Sequence, residues 1–301
     1  MTYIKTTCLK FIGHFFCNFI FNKKSLTMKI RNRLIAFGAL LLFLSCATNP
    51  FTGKKTMALV SNDQLFPSAF AQYDQFLSEN NVVTGTKDAE MITRVGQRIA
   101  TAAERWLTAN NYHGYLKDYQ WEYKLVDDKT INAWCMPGGK IVFYTGILPI
   151  AASETGVAAI MGHEVAHALA NHGQQRMSSG LLQQAGGVAV AIATGNESAE
   201  KQQMWMQAYG IGSTVGLTLP FSRGHETEAD KIGLYLMAVA GYNPDEASEL
   251  WKRMKANSGG QAPPEFLSTH PSHDNRIQNL AKLAPEAKKE AKKFGVTSFR
   301  E

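Results

Sequence analysis

The sequence AIMGHEVAHALANH (residues 159–172) contains two histidines, His163 and His167, four positions apart. Residues four apart project from the same side of an α-helix, so the two imidazole rings can bind one metal ion while Glu164 lies beside it. Zinc suits this arrangement because it accepts a tetrahedral set of nitrogen and oxygen ligands and needs no redox partner. The stretch therefore predicts a helix that holds part of a metal site.

The same spacing is compatible with an ordinary helix whose two histidines are hydrogen-bonded inside a protein core. Neighbouring residues favour the metal site, because apolar side chains surround the motif on nearly every side of the helix and predict that it is buried. These residues are Val157, Ala158, Ile160, Met161, Val165, Ala166, Leu169 and Ala170. Buried imidazoles with a carboxylate between them need a partner, and His-Glu-x-x-His is typical of zinc peptidases.

The net charge of +6 is concentrated in the first 45 residues. This segment contains seven of the 31 Lys and Arg residues and no Asp or Glu, which leaves 24 basic and 25 acidic residues in the rest of the chain. The high pI therefore belongs to the amino-terminal segment, and a nucleic-acid partner is not predicted. The overall content of 45% hydrophobic and 19% charged residues is typical of a globular protein.

Residues 28–46, MKIRNRLIAFGALLLFLSC, have the organisation of a targeting segment, with a cationic start, an apolar stretch and then Cys46. The apolar stretch is short for a membrane span. The segment resembles a bacterial lipoprotein signal, which implies cleavage before Cys46 and lipid attachment at its thiol. We predict a leader over residues 1–45 that starts functionally at Met28, with an uncleaved membrane anchor as the alternative.

The remaining chain predicts a lipidated tether at residues 46–60, one zinc metallopeptidase domain at 61–284 and a charged tail at 285–301. Residues 177–219 are rich in Gly, Ala and Gln, and we expect helices and mobile loops there, either over the active-site cleft or as plain core packing. Lipid on Cys46 would place the domain at a membrane. Cys135 is the only other cysteine after the leader, so no intramolecular disulfide is predicted.

Periodicity predicts helices at residues 61–77 and 87–107 and strands at 121–125 and 140–145. The second strand precedes the metal helix and is a candidate edge, where an extended peptide can pair through backbone hydrogen bonds. We expect the metal helix to begin after an N-cap at Ser153. We expect Gly173 to end it.

A second group of polar residues lies in PFSRGHETEAD (residues 220–230) at the start of another apolar helix. Glu226 and Asp230 are four apart and share a helix face, whereas Glu228 is expected to project elsewhere. Glu226 can bind the metal while Asp230 accepts a hydrogen bond from a ligand histidine and sets its tautomer. Two such acids are more often a solvated face, but the apolar residues that follow and the first motif favour the site.

Four ordered segments resemble the HtpX/OMA/CAAX-prenyl-protease (Ste-type) gluzincin zinc metallopeptidases. They are INAWCMPGGKIVFYTGIL, HEVAH, PFSRGHETEAD and STHPSHDNRI, and together they span about half of the chain. The resemblance implies an α+β, mainly helical zincin-like fold with a small β-sheet beside the His-Glu-x-x-His helix. Members embedded in membranes have several spanning helices, so this chain resembles the soluble periplasmic lipoprotein branch, anchored to a bacterial membrane by its lipid.

The resemblance also implies roles for individual residues. His163, His167 and Glu226 become the ligands of one Zn²⁺, with Glu164 as catalytic acid/base and Asp230 supporting a ligand. His270 and Arg276 are implied to reach the site from the C-terminal part, the histidine either stabilising the reaction or occupying the open position of the metal. From the residues alone, Thr269-His270-Pro271 can also be a simple helix start.

The predicted activity is zinc-dependent hydrolysis of peptide bonds in protein or peptide substrates, such as envelope or misfolded proteins. Zinc acidifies water, Glu164 accepts its proton and passes it to the leaving amine, and His270 and Arg276 are candidate donors to the oxyanion. The alternative is a lipid-anchored chaperone or scaffold for envelope protein assembly with an inhibited or structural metal site. The intact Glu164 argues against that alternative, because a structural site needs no general base.

Overall fold

Residues 46–214, 218–257, 266, 270 and 275–301 are described by the computed structural model. The predicted leader at residues 1–45, including Met28, lies outside them. Among the described residues, no single helix has both the length and the apolarity to cross a membrane. Two consecutive helical segments joined by a sharp bend, Thr145–Ala151 and Glu154–Leu169, meet these criteria only when they are taken together.

Helices make up most of the described chain, and the strands are short. The strands are β1 (Cys46–Thr48), β2 (Lys55–Met57), β3 (Val82–Val83), β4 (Glu122–Val126), β5 (Ala133–Met136) and β6 (Lys140–Tyr144). The helices are α1 (Asn62–Glu79), α2 (Lys87–Ala109), α3 (Leu148–Ala151), α4 (Glu154–Leu169), α5 (His172–Ala193), α6 (Ala199–Ser213), α7 (Leu219–Val239), α8 (Glu246–Asn257) and α9 (Arg276–Lys292). The predicted α+β class, mainly helical with a small sheet, is confirmed.

The main sheet has four strands in the order β3-β4-β6-β5. β4 and β6 are parallel, and β5 is antiparallel to β6. The strand predicted as an edge at residues 140–145 is β6, which lies between β4 and β5, so that prediction is wrong. The edges are β3 and β5. β5 is absent from the sequence analysis because its residues AWCM show no regular alternation of polar and apolar side chains.

The metal helix α4 packs against α2, α8 and β5, and every residue from 155 to 169 is buried. Ser153 is its N-cap as predicted, and its hydroxyl accepts a hydrogen bond of 3.0 Å from the Gly156 N–H. The helix ends before Asn171, whose φ of 55° lies in the left-handed region that asparagine tolerates. Gly173 lies inside the next helix, α5, so the prediction that it ends α4 is wrong.

The chain divides into two compact units. The larger contains Thr48–Lys54, Val60–Arg176 and Pro220–Glu301. Of the described residues, the smaller contains 46–47, Lys55–Leu59 and those within 177–219. Within the smaller unit, the Tyr209 hydroxyl on α6 donates a 2.8 Å hydrogen bond to the Gln183 carbonyl on α5. The helices expected in residues 177–219 are therefore present, and their role over a cleft stays a prediction.

The segments assigned to a tether and a tail contribute to the packing of the larger unit. Phe51 stacks on Trp106 with ring centroids 4.4 Å apart. At the other end, α9 continues through residue 284, and its Ala287 and Ala291 are fully buried. These small residues face the core while the lysines between them face solvent, so residues 285–292 differ from the solvated tail that their charge suggested. The domain boundaries themselves stay predictions.

Candidate metal centre

Two helices of the larger unit bring the predicted ligands together. His163 and His167 lie one turn apart on α4, and Glu226 and Asp230 lie one turn apart on α7. The helices approach closely at Gly233, where an added Cβ would lie 2.8 Å from the backbone nitrogen of His163. A glycine at this position therefore allows the side chains of α7 to reach those of α4.

Four side chains converge at one point. The Nε2 atom of His163 lies 3.1 Å from Nε2 of His167, 3.2 Å from Nδ1 of His270 and 3.2 Å from a Glu226 carboxylate oxygen. Glu226 also lies 3.3 Å from His167 Nε2 and 3.2 Å from His270 Nδ1. A tetrahedral zinc site with bonds of about 2.0–2.1 Å has donor atoms about 3.3–3.4 Å apart. The observed spacings are close to those of such a site.

The chemistry of these atoms also favours a bound cation. The Nδ1 atom of His163 lies 3.0 Å from Asp230, and Nδ1 of His167 has its own hydrogen-bond partner. With the protons on these Nδ1 atoms, both Nε2 lone pairs face each other and the Glu226 carboxylate in a buried space. Such acceptors repel one another unless a positive charge lies between them. Two imidazoles and one carboxylate are a donor set that zinc binds, and His270 supplies a fourth donor atom.

The local field attracts positive charge even without the metal. Burial lowers the pKa of His163, but its hydrogen bonds to Asp230 and Glu226 outweigh burial and raise that pKa to about 9. Burial lowers the pKa of His167. Burial opposes ionisation of Glu226, yet the hydrogen bonds from the surrounding histidines hold the pKa of its carboxyl well below the usual range.

Arg276 lies behind the ligands. Its guanidinium donates to the Asp230 carboxylate at 2.6 Å and to Glu226 at 3.2 Å, and it stacks 3.5 Å from the centroid of the Trp251 ring. Only 2% of Arg276 is exposed. In this position it offsets part of the negative charge of the two carboxylates and fixes their orientation. The predicted contact of Arg276 with an oxyanion stays a prediction.

Glu164 lies beside the cluster and is 3% exposed. Among the described residues its Oε1 atom has no hydrogen-bond partner, although it lies 3.4 Å from His270 Nε2. Burial raises the pKa of the Glu164 carboxyl. An unpaired carboxylate oxygen with a raised pKa is suited to accept a proton.

The sequence analysis missed His172 and Glu228, which lie behind the candidate ligand His167. Nδ1 of His172 lies 2.9 Å from Nδ1 of His167, and Nε2 of His172 lies 3.0 Å from Glu228. Glu228 was expected to project elsewhere than Glu226 and Asp230, and it does lie outside the group of four donors, but it reaches His167 indirectly through His172. The quoted stretch contained His172, but residues five apart do not share a face of a continuous helix. Only the helix break at Asn171 lets His172 reach back.

Comparison with known proteins agrees with this geometry. Residues 87–284 match Peptidase family M48, which is more than half of the chain. The chain belongs to this family. Membership confirms the predicted class of zinc metallopeptidase, and the donor cluster agrees with the predicted zinc cofactor.

Three curated relatives show how far the similarity extends. The mitochondrial metalloendopeptidase OMA1 of Saccharomyces cerevisiae is 35% identical over 206 residues, which cover 65% of this chain and 56% of the relative. The mitochondrial metalloendopeptidase OMA1 of Homo sapiens is 28% identical over 268 residues, or 85% and 50% of the two chains. A beta-barrel assembly-enhancing protease of Yersinia pestis is 26% identical over 250 residues, or 79% and 48%. This M48 chain spans about half the length of these relatives.

The predicted location is contradicted by the OMA1 relatives. The sequence analysis placed the chain at the periplasmic side of a bacterial membrane, because the leader resembles a lipoprotein signal. The OMA1 relatives from yeast and human are named as mitochondrial. The leader on which the prediction depended lies outside the described residues.

Proposed function

We propose that this M48 chain is a zinc-dependent endopeptidase that hydrolyses peptide bonds in unfolded or misfolded proteins. The main support is the position of Glu164 beside a buried cluster of four metal-donor atoms. His163, His167 and Glu226 hold the ion. When bound, zinc supplies Lewis acidity, which polarises a peptide carbonyl and lowers the pKa of water to about 7.

Glu164 moves the proton in this proposal. Its unpaired Oε1 accepts a proton from the attacking water, and its raised pKa allows it to hold that proton until the amine leaves. Apolar neighbours exclude bulk water from α4, which strengthens each electrostatic interaction in the site.

The edge strand β5 provides a place for the substrate backbone. Its far side has no strand partner among the described residues, and β5 packs against α4. An extended peptide can add to such an edge through backbone hydrogen bonds, which bind it with little dependence on its side chains. This mode suits a protease that acts on unfolded chains.

His270 closes the site in the resting protein. Its Nδ1 lies 3.2 Å from both His163 Nε2 and the Glu226 carboxylate, so it would be a fourth donor to a bound ion and would have to leave before substrate can enter. His270→Ala tests this directly, with zinc content as the control. Faster peptide cleavage is expected if the histidine only closes the site. A fall of about 10²–10³ in kcat at unchanged zinc content would instead assign it to stabilising the reaction.

The decisive test compares Glu164→Gln with His163→Ala. Glu164→Gln keeps the shape of the side chain but removes the base, so zinc content should be unchanged while cleavage of an unfolded protein falls by about 10²–10⁴. His163→Ala should lose both zinc and cleavage. Undiminished cleavage by Glu164→Gln would contradict the proposal. It would favour the scaffold alternative, in which Glu164 has no catalytic role.

Membrane attachment through lipid on Cys46 is a separate part of the proposal. Its support is the apolar segment followed by cysteine in the sequence. Intact-mass measurement of the cell-derived protein should show an acylated amino-terminal cysteine, and Cys46→Ser should release the protein from membranes. An unmodified Cys46 would contradict it.

A further inference from the structure

The candidate ligand His167 is backed by a chain of two residues: its Nδ1 lies 2.9 Å from Nδ1 of His172, and Nε2 of His172 lies 3.0 Å from the Glu228 carboxylate. His172 is completely buried and Glu228 is 8% exposed. We propose that His172 and Glu228 form a positioning pair that sets the ring orientation and tautomer of His167 and thereby strengthens zinc binding. The inference rests on the proposed zinc site.

The donor capacities of the rings allow one arrangement of protons. His167 binds zinc through Nε2, so its remaining proton is on Nδ1 and is donated to Nδ1 of His172. His172 must accept at Nδ1, so its own proton is on Nε2, which faces the Glu228 carboxylate. Glu228 therefore selects the tautomer of His172, and His172 selects that of His167.

Both members of the pair are held in place by other residues. Glu228 accepts a hydrogen bond of 3.4 Å from the Asn49 side chain and lies 3.6 Å from the Lys54 ammonium. The His172 ring stacks on His225 with centroids 4.0 Å apart and planes 13° from parallel. Because neither His172 nor Glu228 has room to turn, the orientation of His167 is fixed before the metal binds.

The two zinc-binding histidines of α4 are thus supported differently. His163 contacts its carboxylate, Asp230, directly at 3.0 Å, whereas His167 reaches Glu228 only through His172. Arg276 also contacts Asp230, so the first support is a charged pair. The link from His167 to Glu228 depends on the uncharged ring of His172, so the loss of that ring alone breaks the link.

His172→Phe tests the pair with little change in shape. Phenylalanine keeps the buried ring and its stacking but removes both nitrogen atoms. The zinc dissociation constant of the purified full chain, measured by chelator competition, should rise by about 10- to 100-fold. His172→Asn should recover much of the affinity, because its amide oxygen can accept the His167 Nδ1 proton.

His225→Phe is the matched control, because phenylalanine keeps the ring that stacks on His172 and removes the nitrogen that bonds to Gln175. It should bind zinc nearly as tightly as the parent. The visible spectrum of the Co²⁺-loaded protein adds a readout of ligand geometry, and it should change for His172→Phe but not for His225→Phe.

Several results would overturn the inference. Parent-like zinc affinity in a folded His172→Phe protein is one, and an equal loss in His225→Phe is another. If His172→Phe does not fold, Glu228→Met takes its place, since it leaves the His172 Nε2 proton without an acceptor, and parent-like affinity there would overturn the inference too. A parent protein that binds no zinc would instead refute the proposed function.

Discussion

Helices α4 and α6 have nearly the same length, 16 and 15 residues, but opposite surroundings. Every residue of α4 from 155 to 169 is buried, whereas α6 has no buried residue. Large apolar side chains of α6 are exposed, including Trp205 at 51% and Ile211 at 58%. The polar side chains of α4 are tolerated in its core because each contacts another polar group or a shared metal position. Burial of a helix is therefore decided by its neighbours as much as by its own composition.

The largest effect on the metal site is expected from a methyl group at the contact between α4 and α7. In Gly233→Ala, the new Cβ would meet backbone atoms of Gly162 and His163 at 2.8–3.0 Å. Backbone atoms cannot rotate away, so the helices must separate, at a cost of about 1–3 kcal/mol in the free energy of unfolding. Zinc affinity should fall as well, because the ligands on the two helices move apart.

Gly224→Ala provides the control on the same helix, because nothing lies within 4 Å of its added Cβ. Alanine favours a helix over glycine by about 1 kcal/mol, so this variant should be as stable as the parent or more stable. Urea unfolding and zinc titration of both variants give the comparison. Equal behaviour of the two would show that the close approach at Gly233 is not needed for the site.

A smaller effect is expected at the first turn of α4. The hydrogen bond from Arg94, opposed by burial and aided by Tyr242, lowers the pKa of Glu154 below its usual 4.5. A lowered pKa means that Glu154 stabilises the fold above about pH 4.5 and loses this contribution as the pH falls. Glu154→Gln should therefore lower the free energy of unfolding by about 1 kcal/mol at pH 7, with less difference from the parent at pH 3.

Glu197→Gln is the control for this prediction, because the Glu197–Lys201 ion pair is largely exposed. Denaturant unfolding at several pH values should show little effect of Glu197→Gln at any of them. A pH-independent loss of stability in Glu154→Gln would mean that its shape, and not its charge, matters for α4.

The smallest effect is expected in α6 itself. Trp205→Ser should change the free energy of unfolding by no more than about 0.5 kcal/mol, because half of the tryptophan is already exposed. The corresponding change at the buried Trp251, Trp251→Ser, should cost about 3–5 kcal/mol. If thermal unfolding showed a large loss for Trp205→Ser, α6 would be covered in solution and the contrast with α4 would fail.

Local rules were sufficient for several parts of the fold. Helical spacing predicted α2 and the apolar environment of α4, and Ser153 identified the helix start. Local rules failed where the structure of a segment depended on contacts with residues far away in the chain. The strand β5 is too short and irregular to be recognised, and its place at the edge depends on pairing with β6.

The sequence by itself determined which side chains lie on one helix face, because His163 and His167, like Glu226 and Asp230, are four positions apart. Tertiary structure alone decided that the two pairs meet, since the approach of α4 and α7 depends on backbone packing at Gly233. It also decided that His270 completes the cluster and that His172 supports it. Those contacts join residues that are far apart in the chain or separated by a helix break. The spacing of residues within one helix cannot predict such contacts.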